Sequence, residues 1–205
     1  MRWRYLQSVT SFLIVRHGQS VWNAAGRWQG QADPPLTELG HRQARMAAHN
    51  LPDFDVLVAS TLQRALQTAD GIAQVRDIDE THLDARFMER DAGAFSGLTR
   101  NDIEREFPGY LGSGRWPEGW EDDGPVLARV RAGLDDLALT HGDSTIVIIS
   151  HGGIIYSIEG IFDIAHEGVS NLGARWVYRA ADGELSLGER VHLLDPESET
   201  IPDQI

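Results

Sequence analysis

Three short apolar runs, each ending abruptly in a polar cluster, limit this chain to few folds. Residues 9–15 end at Arg16-His17-Gly18, residues 55–59 end at Ser60, and residues 145–149 end at Ser150-His151-Gly152. Runs of this length, bounded by turn residues and rich in Val, Ile and Leu, read as strands buried on both faces. Such strands belong to parallel sheets covered by helices on both sides.

The intervening stretches carry helical patterns. Thr37 caps a helix that runs through residues 43–51 and stops at Pro52, and Ser60 is a candidate N-cap for a helix over 62–73. Thr99 starts another helix that ends near Phe107-Pro108. Pro125 opens one reaching about Leu139, with Leu127, Val130, Leu134 and Leu137 on one face. An apolar helix covers 154–162, and 175–179 with 184–187 form a hairpin around Ala181-Asp182-Gly183. Residues 75–90 read as irregular, 109–124 as a surface insertion rich in Gly, Pro and Trp, and 195–205 as a frayed acidic tail. Alternation of strands and helices gives an α/β fold, and 205 residues fit a single domain over 1–205. Ligands in such folds sit beyond the carboxyl ends of the strands. Neighbouring parallel strands would therefore gather Arg16, His17, Ser60, Arg64 and His151.

Composition narrows the chemistry. The chain has no cysteine and no lysine, which excludes thiol catalysis, Schiff bases and a P-loop lysine. All 18 basic residues are arginine, a side chain suited to forked recognition of phosphate or carboxylate. A net charge of −13 opposes binding to nucleic acid or an anionic membrane, so neither is expected as a partner. Any anion site must be a local concentration of positive groups. Arg2 and Arg4 precede residues 6–15, but Gln7, Ser8, Thr10 and Ser11 break the apolar run that a signal peptide needs. A cytoplasmic location is expected.

A phosphomonoester dianion needs a donor-rich cradle and a nucleophile in line with the leaving oxygen. Neutral imidazole is such a nucleophile, arginines fork onto phosphate oxygens, and a carboxyl group protonates the leaving alcohol.

Arg16-His17-Gly18-Gln19-Ser20 resembles the Arg-His-Gly signature of the histidine phosphatase superfamily, which includes the cofactor-dependent phosphoglycerate mutases. The likeness continues through Trp22-Asn23, Gln29-Gly30, Asp33, Leu36-Thr37 and Gly40, then through Ser60, Arg64, Thr68 and Ala69. Glu89 followed by Gly93 and Gly97, and finally Ser150-His151-Gly152, complete it over residues 12–160. The resemblance implies a three-layer α/β/α sandwich with a mostly parallel, phosphoglycerate mutase-like sheet. It implies that His17 becomes phosphorylated, that Arg16, Arg64 and His151 hold the phosphoryl group, and that Glu89 is general acid and then general base. Asp91 is the competing carboxylate. Gly18, Gln19, Asn23, Gln29, Gly30 and Gly152 would contact substrate, and neither metal nor cofactor is implied. His41, His49, His82, His141, His166 and His192 match no block and read as structural or surface residues.

Three departures separate the chain from the mutase pattern. Glu89-Arg90-Asp91-Ala92-Gly93 lacks a substrate-facing tyrosine, Gly153 stands where mutases carry asparagine, and the insertion before the second histidine block is short, leaving Arg100 and Arg115. The expected activity is therefore that of a phosphoric monoester hydrolase, of the histidine acid phosphatase type. Its partner would be a small-molecule phosphate ester of a sugar, a glycerate derivative or a nucleoside-like alcohol. Phosphoglycerate mutase is the alternative. Trp28, Arg86, Trp116, Trp120 and Arg129 are candidate contacts to the organic part, with Trp116 and Trp120 either a lid or a loop anchor. A phosphorylated protein side chain is a less favoured substrate, and a non-catalytic module would not need both His17 and Glu89. His151-Gly152-Gly153 resembles an esterase oxyanion loop, but a G-x-S-x-G elbow is absent. The hairpin offers an edge strand, so a homodimer is open but not required.

Overall fold

A computed structural model describes residues 9–165 and 167–202. Arg2, Arg4, the rest of 1–8, His166 and the tail residues 203–205 lie outside the described residues. The architecture is a six-stranded sheet in the order β3-β2-β4-β1-β5-β6. Four strands are parallel: β1 (Val9–Arg16), β2 (Val56–Ala59), β3 (His82–Leu83) and β4 (Thr145–Ser150). The expected hairpin is longer on both arms, with β5 (Gly173–Ala180) antiparallel to β1 and β6 (Leu185–His192) beyond it.

The period of two along each strand explains why the runs are continuously apolar. Leu13 and Val15 of β1, with Leu57, Ala59, Val147 and Ile149, pack under α2 (Glu38–Ala48) and α3 (Gln63–Arg76). Phe12 and Ile14, with Val58, Ile146 and Ile148, pack under α5 (Asp123–His141) and α6 (Gly152–Gly160). Each such side chain stabilises the fold by about 1.5–3 kcal/mol relative to exposure. Two further helices are short: α1 (Val21–Ala24) and α4 (Arg100–Glu106).

Several local expectations change. Ser60 does not cap α3; its hydroxyl is taken by His151, and Asp33 from a separate loop accepts the Gln63 N–H at 2.6 Å instead. The helix runs to Arg76, so 75–90 holds its last turn, β3 and a 3₁₀ turn over Ala85–Phe87. In α5 the buried stripe is Val126, Val130, Gly133, Leu134 and Ala138, so the expected Leu127 and Leu137 are each one position off and only half-buried. The described part of the tail is tied down: Asn171 N–H donates to the Thr200 carbonyl at 2.8 Å, and the Gln43 amide donates to the Ser198 carbonyl at 2.9 Å.

The end of the sheet is level. Arg16 pairs with Ser150 and Ala59 with Ile149, so the polar residues after β1, β2 and β4 emerge side by side. Two glycines bring α2 against the β1 exit. A Cβ on Gly18 would lie 2.7 Å from the Gly40 carbonyl oxygen, and one on Gly40 would lie 2.1 Å from the Gln19 carbonyl oxygen. Both obstacles are backbone, so the chain must shift to admit a methyl group. Gly40→Ala should therefore cost about 1–3 kcal/mol in urea denaturation. It should also lower activity, because the displaced loop carries His17; wild-type stability in this variant would contradict the packing described.

Candidate active site

His17 follows β1 directly, and its backbone N–H donates to the Ser150 carbonyl at 3.0 Å. Its Nδ1 lies 2.7 Å from the Gly18 carbonyl oxygen, which can only accept, so Nδ1 carries the proton. Arg64 Nε donates to the other ring nitrogen, Nε2, at 3.2 Å, so Nε2 presents a lone pair. Both neighbours specify the same tautomer. Burial, then the charges of Arg64 and Arg16, hold the His17 pKa well below its ordinary value of 6.5. The ring is thus neutral at neutral pH.

Arg64 sits on the first turn of α3, fully buried. Its guanidinium donates to the Ala32 and Gly30 carbonyls, each at 2.8 Å. Burial lowers its pKa to about 10, against the raising effect of Glu89 and Asp33, and it keeps its charge. Arg16 Nη1 donates to the Val169 carbonyl at 2.6 Å. His151 lies with its ring centroid 5.2 Å from that of His17. Its Nε2 is 2.8 Å from Ser60 Oγ, which also accepts the Leu62 N–H at 3.3 Å. We assign the Ser60 hydroxyl proton to the contact with His151 Nε2, which places the ring hydrogen on His151 Nδ1. Burial, then Arg64, His17 and Arg16, keep His151 neutral as well.

Among the described residues, five buried side-chain atoms have no hydrogen-bond partner, and three belong to this site: His151 Nδ1 and Arg16 Nε in the charged cluster, and Trp28 Nε1 on the cavity wall. Unpaired buried donors cost free energy, and here two of them lie in a cluster of two guanidinium groups. The acceptor that fits such a cluster is an anion with several oxygens.

Glu89 is buried and lines the same cavity as Arg16, His17 and Arg64. Its carboxylate accepts the Arg90 N–H at 2.8 Å and the Gly153 N–H at 3.1 Å. A Cβ on residue 153 would lie 2.2 Å from Glu89 Oε1, so glycine there lets the carboxylate approach α6. Asp91, the competing carboxylate, instead accepts the Gly93 N–H at 2.9 Å in its own turn and does not line the cavity.

The substrate-contact residues divide. Gln29 and Gly30 line the cavity, whereas Gly18, Gln19, Asn23 and Gly152 do not. Gly18 N–H donates to Thr68 Oγ1 at 3.0 Å, and the Gln19 side chain turns to Thr37 Oγ1 at 2.9 Å. Asn23 serves the capping box of α1, and Gly152 packs its α-carbon side against the Arg16 guanidinium. Trp28, Trp116 and Trp120 line the cavity. Arg86 is spent on Asp84 and Asp136, and Arg129 braces the chain behind Glu89 through Glu121 and the Arg86 and Met88 carbonyls. Tyr156 and Ser157 on α6, with Arg90, Ala92 and Asp123, complete the wall. The sequence reading missed them, although Gly153, Tyr156 and Ser157 share a helix face at i, i+3 and i+4. Asn171, which donates to the His17 carbonyl at 2.9 Å, carried no signal.

The two buried neutral imidazoles link stability to pH. Unfolded histidines bind protons below about 6.5 and these two do not, so stability falls as pH drops through that value. Between pH 7 and 5.5 the loss should be about 2 kcal/mol in urea denaturation, roughly half of it removed in His17→Asn. A flat profile across that window would contradict the buried neutral assignment.

Among the described residues no group of His, Asp and Glu is placed to hold a metal ion. No helix there is long and apolar enough to cross a membrane. The sequence pattern of the Histidine phosphatase superfamily (branch 1) matches residues 12–171. Phosphoserine phosphatase 1 of Hydrogenobacter thermophilus is 33% identical over 153 residues, covering 70% of this chain and 71% of that protein. A glucosyl-3-phosphoglycerate phosphatase of Mycolicibacterium vanbaalenii is 30% identical over 164 residues, covering 73% and 72%. The solved mycobacterial glucosyl-3-phosphoglycerate phosphatase superposes with a TM-score of 0.76 at 25% identity, covering 87% of this chain and 97% of that one. A Bacillus anthracis phosphoglycerate mutase, 21% identical with a TM-score of 0.78 over 89% and 93% of the two chains, shares the fold. With its level strand ends, paired histidines and buried arginines, this chain belongs to the histidine phosphatase superfamily, branch 1.

Proposed function

We propose that this protein is a metal-independent phosphomonoester hydrolase that works through a phosphohistidine at His17. The observation that carries the reading is the pair of hydrogen bonds on the His17 ring, which leave Nε2 as a lone pair between buried cations. In the first step Nε2 attacks phosphorus and the ester P–O bond breaks. Arg16 and Arg64 balance the charge on the equatorial oxygens, with His151 Nδ1–H as a further donor. The departing alkoxide takes a proton from the Glu89 carboxyl group. In the second step the Glu89 carboxylate removes a proton from water as its oxygen bonds to phosphorus. The P–N bond breaks, and phosphate leaves with Nε2 neutral again.

Hydrolysis is preferred to transfer onto a second phosphoglycerate for two reasons. The relatives at 30% identity and above named here are phosphatases. Ala92 lines the cavity in the segment where the mutase pattern places a tyrosine, and Arg115 is used on the Gly109 carbonyl and the Tyr110 ring rather than on the cavity.

Phosphate release in excess chelator should continue in wild type and vanish in His17→Ala, because no other nucleophile can replace the imidazole. Glu89→Gln should cost roughly 10²–10⁴-fold in rate with alkyl esters and much less with an activated aryl ester. An equal loss for both ester types would remove Glu89 from the acid's role. Interconversion of phosphoglycerates faster than phosphate release would favour the mutase.

A further inference from the structure

The cavity measures about 250 Å³, near the small end of ligand sites, and its wall has two chemistries. Arg16, His17, Arg64 and Glu89 form the phosphoryl side. Much of the remainder is aromatic: Trp28, Trp116 and Trp120, with Ala92 and Tyr156. Trp116 stacks on Trp120 with ring centroids 4.1 Å apart and planes 6° from parallel, and Trp120 lies 6.0 Å from Trp28. Trp116 keeps 46% of its surface exposed, so a flat indole face stands in contact with solvent at a cavity rim. Such faces are better covered by a planar apolar group than by water.

The charges on this wall point the same way. The Arg90 guanidinium is paired with Asp123, donates to Ser157 Oγ at 2.6 Å and to the Glu121 carbonyl at 3.3 Å, and lies 5.1 Å over the Trp120 ring. It is already compensated. Asp123 lines the cavity as the other half of that ion pair, holding Arg90 away from a second anion. Once phosphate occupies Arg16 and Arg64, the described lining offers no uncompensated cation to a carboxylate on the alcohol.

Resting on the hydrolase reading, we propose that the aromatic wall is a specificity site for an uncharged planar group. The substrate is then the phosphomonoester of a neutral alcohol bearing an aromatic ring, rather than a phosphorylated hydroxy acid. This narrows the sequence expectation, which left glycerate derivatives open.

Four primary alkyl esters with comparable leaving groups separate the alternatives: 2-phenylethyl phosphate, ethyl phosphate, O-phosphoserine and 3-phosphoglycerate. Phenylethyl phosphate should have the highest kcat/KM, by about tenfold or more over the carboxylate-bearing pair. Trp116→Ala, at an exposed position, should lower that advantage roughly three- to tenfold, mainly through KM. Asp123→Asn should narrow the gap from the other side by improving phosphoserine turnover. Equal or better use of the carboxylate-bearing esters, or a preference that survives Trp116→Ala unchanged, overturns the proposal and leaves the hydrolase reading intact. Release of phosphate from none of the four overturns both.

Discussion

The site depends on two guanidinium groups buried at the carboxyl end of the sheet. Arg16 is 3% exposed and Arg64 not at all, inside a chain whose net charge is −13. Isolated buried cations are costly, so the surrounding backbone must supply acceptors. It does so through the Val169, Ala32 and Gly30 carbonyls. The acidic surface gives no help in attracting an anion. Local geometry alone makes the positive hole, and the level ends of β1, β2 and β4 create that geometry.

The same cations organise the histidines. Burial first, and then the nearby Arg64 and Arg16 charges, keeps both imidazoles neutral, and hydrogen bonds to Gly18 and Ser60 set their tautomers. One ring is left with a lone pair and the other with a free N–H, which are the complementary roles of nucleophile and donor. Two residues of one type, placed a few ångströms apart, thus acquire opposite chemistry from single acceptors and donors behind them. Thr68 extends this backing: it accepts the Gly18 N–H and donates to the Arg64 carbonyl at 2.7 Å, tying the β1 exit to α3.

Much of this is legible in the sequence. The strands were legible because a doubly covered parallel sheet demands unbroken apolar runs, and residues 9–15 and 145–149 have them. Elements fixed by tertiary partners were not. Ser60 looks like a helix cap, yet His151, 91 residues away in sequence, takes its hydroxyl. Gln19 stands in the signature block, but Thr37 draws its amide away from the cavity. The 109–124 stretch reads as a surface insertion, while Trp120 packs with Trp28 and Phe95 in a satellite apolar cluster beside the site. Local propensity cannot encode such choices, because each is settled by which distant group arrives.

The most direct test of the account is chemical identification of the covalent intermediate. Wild-type protein mixed with a fast-turning aryl phosphate and quenched in alkali, which preserves phosphohistidine, should yield one modified peptide containing His17 after digestion and mass spectrometry. The phosphoryl group should sit on Nε2, because Nδ1 is engaged by the Gly18 carbonyl. Phosphate release without any labelled histidine, or a label on His151, would contradict the assignment of His17 as the nucleophile.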